Sequence, residues 1–67
     1  MIFEVDHERD GYSVEIYTEP DANGMMDFLG RIDLFSGWLY LEDGREFEIP
    51  HALVGRDAIR AWATAKL

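Results

Sequence analysis

The stretch IDLFSGWLYLEDGREFEI, residues 32–49, sets two turn signals among alternating apolar and polar residues. Its register decides the fold. Ser36-Gly37 reads as a two-residue turn, the commonest hairpin connection. That turn puts Phe35 opposite Trp38, Leu34 opposite Leu39, Asp33 opposite Tyr40 and Ile32 opposite Leu41. Around Asp43-Gly44 two readings compete. A two-residue loop sets Leu39 and Leu41 against Glu48 and Glu46, which mixes carboxylates into the apolar face. A three-residue loop, Glu42-Asp43-Gly44 with Gly44 left-handed in a bulge, puts Leu41 opposite Arg45 and Leu39 opposite Phe47. A slip of one residue turns every side chain to the other face, so burial selects the bulged turn.

This register sorts the sheet. Ile32, Leu34, Leu39, Leu41, Phe47 and Ile49 fall on one face, and Asp33, Phe35, Trp38, Tyr40, Glu46 and Glu48 on the other. Antiparallel sheets commonly leave one face to solvent. A solvated face that collects three aromatic residues is unusual.

Working outward, Met1 to Arg9 reads as a strand with Phe3 and Val5 inward and Ile2, Glu4, Asp6 and Glu8 outward. Asp10-Gly11 is a turn signal. Tyr12 to Thr18 alternates, with Tyr12, Val14 and Ile16 on one face and Ser13, Glu15 and Tyr17 on the other. Two registers keep these faces sorted. A tight turn pairs Val5 with Ile16 and Asp6 with Glu15; a four-residue turn pairs Val5 with Val14 and Glu4 with Glu15. Either sets like charges side by side, at a cost of a few tenths of a kcal/mol or more.

Residues 19–24, EPDANG, form a loop by their Pro and Asn-Gly. Met26, Phe28, Ile32 and Leu34 share a parity, so one reading starts the next strand at Met26 with Gly30 as a bulge. The favoured reading leaves Met25-Met26 in a hydrophobic loop and begins the strand near Phe28. Pro50 ends the last strand. Arg56 to Lys66, RDAIRAWATAK, is the one convincing helix, with Gly55 at its cap. Ile59, Trp62, Ala63 and Lys66 follow helical spacing, so Ile59 and Trp62 should face the sheet. The predicted architecture is α+β: a four- to five-stranded antiparallel meander with one C-terminal helix packed on one face. The alternative is a small curled barrel plus the helix.

Sixty-seven residues make a single domain, 1–67. A chain this short buries only about 60% of its unfolded surface. With no cysteine to cross-link it, the apolar 48% of its residues must supply the core. No apolar run approaches a membrane span and the first residues show no signal-peptide pattern, so a cytoplasmic location is expected.

Charge narrows the function classes. The net charge is −8, and residues 1–50 hold 13 of the 14 acids with only Arg9, Arg31 and Arg45 as bases. Direct nucleic-acid binding needs a basic footprint, and an anionic membrane needs the same, so neither is expected as a partner. A basic protein surface is the natural complement.

No motif for chemistry stands out. His7 and His51 lack any metal-ligand spacing, so no metal and no cofactor is expected. Asp21 to Gly24 lacks the glutamate and spacing of a calcium-binding EF-hand loop. Ser13, Ser36, Thr18 and Thr64 lie outside any nucleophile-elbow context. Glu46 and Glu48, two apart on a solvated face, read as surface charges and not as a catalytic acid and base. The chain is not expected to be an enzyme. Trp62 reads as core.

The remaining candidates converge on one face: Glu4, Asp6, Glu15, Tyr17, Asp33, Phe35, Trp38, Tyr40, Glu46 and Glu48 are expected to bind a partner. Outer-face acids also keep a small sheet protein soluble, and cross-strand aromatic pairs stabilise hairpins. Neither accounts for the acidic excess over residues 1–50. Alternate strand residues repeat at about 6.8 Å, twice the per-strand charge spacing of duplex DNA, about 3.4 Å. In size, acidity and lack of catalytic motifs the whole chain resembles phage-encoded anti-CRISPR and anti-restriction proteins. That resemblance implies an inhibitor or regulator that engages a nucleic-acid-handling protein, in some cases as a DNA mimic. The other reading is a structural or assembly module, monomeric or a homodimer that hides Phe35, Trp38 and Tyr40 between two sheets.

Overall fold

In the computed structural model, which describes residues 1–67, five strands are followed by one helix: β1 (Ile2–Val5), β2 (Ser13–Tyr17), β3 (Phe28–Asp33), β4 (Trp38–Leu41), β5 (Glu46–Glu48) and α1 (Arg56–Lys66). The strands pair antiparallel in sequence order. The sheet is open, with β1 and β5 as its edges, so the curled-barrel alternative is not what forms.

The β4–β5 hairpin follows the expected bulged register. Leu39 pairs with Phe47 and Tyr40 with Glu46. The Leu41 N–H donates to the Arg45 carbonyl, and Gly44 has φ 96°. That left-handed backbone is the reason glycine stands there.

The β3–β4 connection corrects the expected register. Asp33 pairs with Trp38 and Ile32 with Leu39, so the loop has four residues, Leu34 to Gly37, rather than two. Asp33 causes the difference. Its carboxylate accepts the N–H groups of Phe35 and Ser36, and its carbonyl accepts that of Gly37 at 2.8 Å. An aspartate that bonds its own following backbone builds a turn in place of strand. A shift of two residues preserves parity, so Ile32 and Leu39 remain on the same face.

The first hairpin takes the four-residue register, with Val5 opposite Val14 and Glu4 opposite Glu15. β1 stops at Val5 rather than running to Arg9. The Asp6 carbonyl accepts the N–H groups of Asp10 and Gly11, and the Asp10 carboxylate accepts those of Tyr12 and Ser13. These local bonds close the turn before the strand can continue.

Between β2 and β3 the register shifts. Ile16 faces Gly30, whereas Tyr17 faces Phe28, so Leu29 is the extra residue of a bulge. The parity that grouped Phe28 with Ile32 is thereby broken. Phe28 joins the outer face beside Tyr17, their ring centroids 5.7 Å apart. Gly30 must be glycine for a steric reason: a Cβ would lie 2.7 Å from the Tyr40 carbonyl oxygen.

Helix and sheet share one core. Val14, Ile16, Ile32, Leu39, Leu41, Ile49 and Ala63 are buried, with Phe3, Val5, Phe47, Ile59 and Trp62 packed around them. Ile59 and Trp62 face the sheet as their spacing predicts, and fully buried Ala63 lets the helix backbone come close. Lys66 in the last turn lies over the Phe47 ring at 5.1 Å, and Arg60 over Phe3 at 5.4 Å. Tyr12, expected inward, is instead 54% exposed, because it precedes β2 and packs on Phe35 in the neighbouring loop. Ser13 keeps the expected parity with Glu15 and Tyr17 but is buried, its hydroxyl donating to the Asp10 carboxylate.

Candidate functional site

The helix covers one face of the sheet, and no element covers the other. Cross-strand register arranges the open face in rows. The central row runs Glu4, Glu15, Arg31, Tyr40, Glu46 across all five strands. A second row runs Ser13, Asp33, Trp38, Glu48 across β2 to β5. Ile2, Tyr17 and Phe28 form a third, shorter row on β1 to β3. Neighbouring positions in a row are spaced by the strand separation of about 4.8 Å.

Eight of the ten expected site residues thus share a continuous surface in these rows: Glu4, Glu15, Tyr17, Asp33, Trp38, Tyr40, Glu46 and Glu48. Of these, Asp33 lies at the end of β3 and its carboxylate is engaged by the turn that follows. The other two are placed differently. Asp6 lies beyond β1 and accepts the Arg9 N–H. Phe35 leaves the sheet altogether; it is 84% exposed in the β3–β4 loop, its ring 5.9 Å from Tyr12. The expected Phe35–Trp38 pair therefore does not form.

Two acidic flanks bound the face. At the β1–β2 hairpin, Glu4, Val5, Asp6, His7, Glu8 and Glu15 line an open depression of about 440 Å³. Here Asp6 rejoins the other acids, from the turn rather than from the strand. At the opposite edge Glu46 and Glu48 are both exposed, with His51 Nε2 3.6 Å from Glu48.

Between the flanks lies a residue the sequence reading passed over. Arg31 sits opposite both Glu15 and Tyr40, and its guanidinium carbon stands 5.4 Å from the Tyr40 ring centroid. It forms no salt bridge, and its Nε is buried without a hydrogen-bond partner. Glu15 is engaged elsewhere, because the Tyr17 hydroxyl donates to its Oε2. This bond, with partial desolvation and the nearby charges of Glu15, Glu4 and Asp6, holds the Tyr17 phenol above its ordinary value of 10.0. The phenol therefore stays neutral beside the acids. Arg31 shares the parity of Asp33, so alternation already puts it on this face; its place opposite Glu15 and Tyr40 follows from the strand registers.

No group of three or more His, Cys, Asp or Glu side chains is close enough to hold a metal ion. No helix is long and apolar enough to cross a membrane. No family model, curated protein or solved structure matches the chain.

Proposed function

We propose that this chain is a small acidic inhibitor or regulator, of the anti-CRISPR or anti-restriction kind, that binds a basic, nucleic-acid-handling protein through the open face of its sheet. One observation carries the reading: two carboxylate flanks enclose a half-buried aromatic centre of Trp38, Tyr40 and Tyr17 on the face that the helix leaves uncovered. Half-buried aromatic side chains supply contact area at low entropic cost, as they do at protein interfaces. The flanking carboxylates supply steering and select against acidic partners. The DNA-mimic form of this reading is supported by strand geometry alone, since alternate strand residues repeat at about 6.8 Å, twice the per-strand charge spacing of duplex DNA. The same crowding repels a second copy laid face to face, which disfavours the homodimer reading.

The test is affinity capture with the wild-type chain and with two charge-reversal pairs, Glu4→Lys/Glu15→Lys and Glu46→Lys/Glu48→Lys. Wild type is expected to retain a basic nucleic-acid-binding protein in a salt-sensitive manner, and duplex DNA is expected to compete. Each folded reversal variant should lose that protein. Equal capture by wild type and both variants would overturn the proposal.

A further inference from the structure

The face has an open end, and its backbone specifies what can be added there. In an antiparallel ladder, residues alternate between those whose N–H and C=O bond the neighbouring strand and those whose groups point away. On β5 the bonded positions are 45, 47 and 49. The Arg45 carbonyl accepts from Leu41, Phe47 pairs with Leu39, and the Ile49 N–H donates to Gly37. The backbone groups of Glu46 and Glu48 therefore point out of the free edge, while their side chains lie on the open face. No loop or side chain takes up those groups.

The other edge is closed to the same use. On β1 the Asp6 N–H bonds the Ser13 carbonyl, so alternation turns Phe3 and Val5 outward. The Val5 carbonyl is already taken by the His7 N–H at 3.1 Å. The side chains of Phe3 and Val5 belong to the helix side, where the Arg60 guanidinium stands over Phe3. A strand bonded to Phe3 and Val5 would set its paired side chains on the helix side, toward Arg60. One bonded to Glu46 and Glu48 sets them on the open face and turns only its middle residue toward Lys66 over Phe47.

Charge then selects the occupant of the β5 edge. A second copy pairing antiparallel about Phe47 would set Glu46 against Glu48 twice, and directly opposed like charges are destabilising. A strand with cations at alternate positions meets the reverse situation. Pairing with Glu46 and Glu48 places its residues i and i+2 on the open face, each beside one carboxylate. Residue i+1 falls on the other face, beside half-buried Phe47.

We infer that β5 is a docking edge for an extended basic segment of the partner protein, of pattern cation–apolar–cation, which joins the sheet as a sixth strand against Glu46 and Glu48. Strand addition of this kind draws affinity from main-chain hydrogen bonds and specificity from alternate side chains. The inference rests on the proposed binding of a basic protein and names the segment that reaches this face.

The test uses a synthetic peptide of alternating lysine and valine, with a block-sequence peptide of the same composition as control. Fluorescence anisotropy reads affinity, and amide hydrogen exchange of the wild-type protein reads the edge. The alternating peptide is expected to bind more tightly than the block peptide and to protect the Glu46 and Glu48 amides. Proline is tolerated at an edge position whose N–H faces solvent. Glu48→Pro should therefore keep the fold by circular dichroism and lose about tenfold in affinity, the scale of one hydrogen bond together with one charge contact. Glu48→Gln, which keeps the N–H, should lose less. Equal affinity for the two peptides, no binding, unchanged exchange at Glu46 and Glu48, or a folded Glu48→Pro variant that binds as well as Glu48→Gln would each overturn strand addition. Loss of the natural partner in the charge-reversal pairs, with normal partner binding by Glu48→Pro, would leave the proposed function standing without this edge.

Discussion

Aspartates decide the turns of this chain, and two of them link stability to pH. Asp10 accepts the backbone N–H groups of Ser13 and Tyr12, and Asp43 accepts that of Arg45 and pairs with its guanidinium at 2.7 Å. These hydrogen bonds, foremost that from the Ser13 N–H for Asp10 and from the Arg45 N–H for Asp43, hold both carboxyls below their ordinary value of 3.8. The stability they confer is fully present above pH 3.8 and is lost as pH falls through the lowered folded values. Thermal melts from about pH 5 to about pH 2 should show the wild type losing Tm across that window. The double variant Asp10→Asn/Asp43→Asn should start lower and lose less. A parallel decline in the two proteins would show that these turns do not carry the linkage.

At the scale of elements, the bulge in β3 governs what the open face contains. Inserting Leu29 between the Ile16–Gly30 and Tyr17–Phe28 pairs sends Phe28 outward. Gly30 permits this because the Tyr40 carbonyl lies where its Cβ would be. That obstacle is backbone and cannot swing aside. Gly30→Ala should therefore cost about 1–3 kcal/mol, the range for forcing an extra methyl group into packed structure. A lower urea midpoint at an unchanged m-value would register the loss; an unchanged midpoint would mean that β3 and β4 separate freely. In a domain of this size such a loss is a large share of the total stability.

For the molecule as a whole, a net charge of −8 on a chain measuring 39 × 26 × 22 Å makes self-repulsion a general term. Salt at 0.1 M screens beyond about 10 Å, so most of that repulsion is removable. The midpoint of thermal unfolding should rise as sodium chloride is added, while affinity for a basic partner should fall. Opposite responses are the signature of an acidic surface kept for binding. A Tm indifferent to salt would indicate that the charges are already too dispersed to oppose folding.

Alternation in residues 32–49, the Gly44 bulge and the helical spacing of Ile59, Trp62 and Ala63 determined the sheet order, its buried face and the side on which the helix packs. They could do so because burial of apolar area is periodic in sequence and tolerates no one-residue slip. The acidic character of the other face was legible for the same reason. Tertiary structure alone decided what depends on local hydrogen-bond competition and close approach. It ended β1 at Val5, lengthened the β3–β4 loop around Asp33, moved Phe35 off the sheet, and placed Leu29 in a bulge. The β2–β3 and β3–β4 registers set Arg31 opposite Glu15 and Tyr40, at the centre of the acidic face. Side-chain bonds to backbone and the space beside Gly30 have no period, so no pattern along the chain announces them.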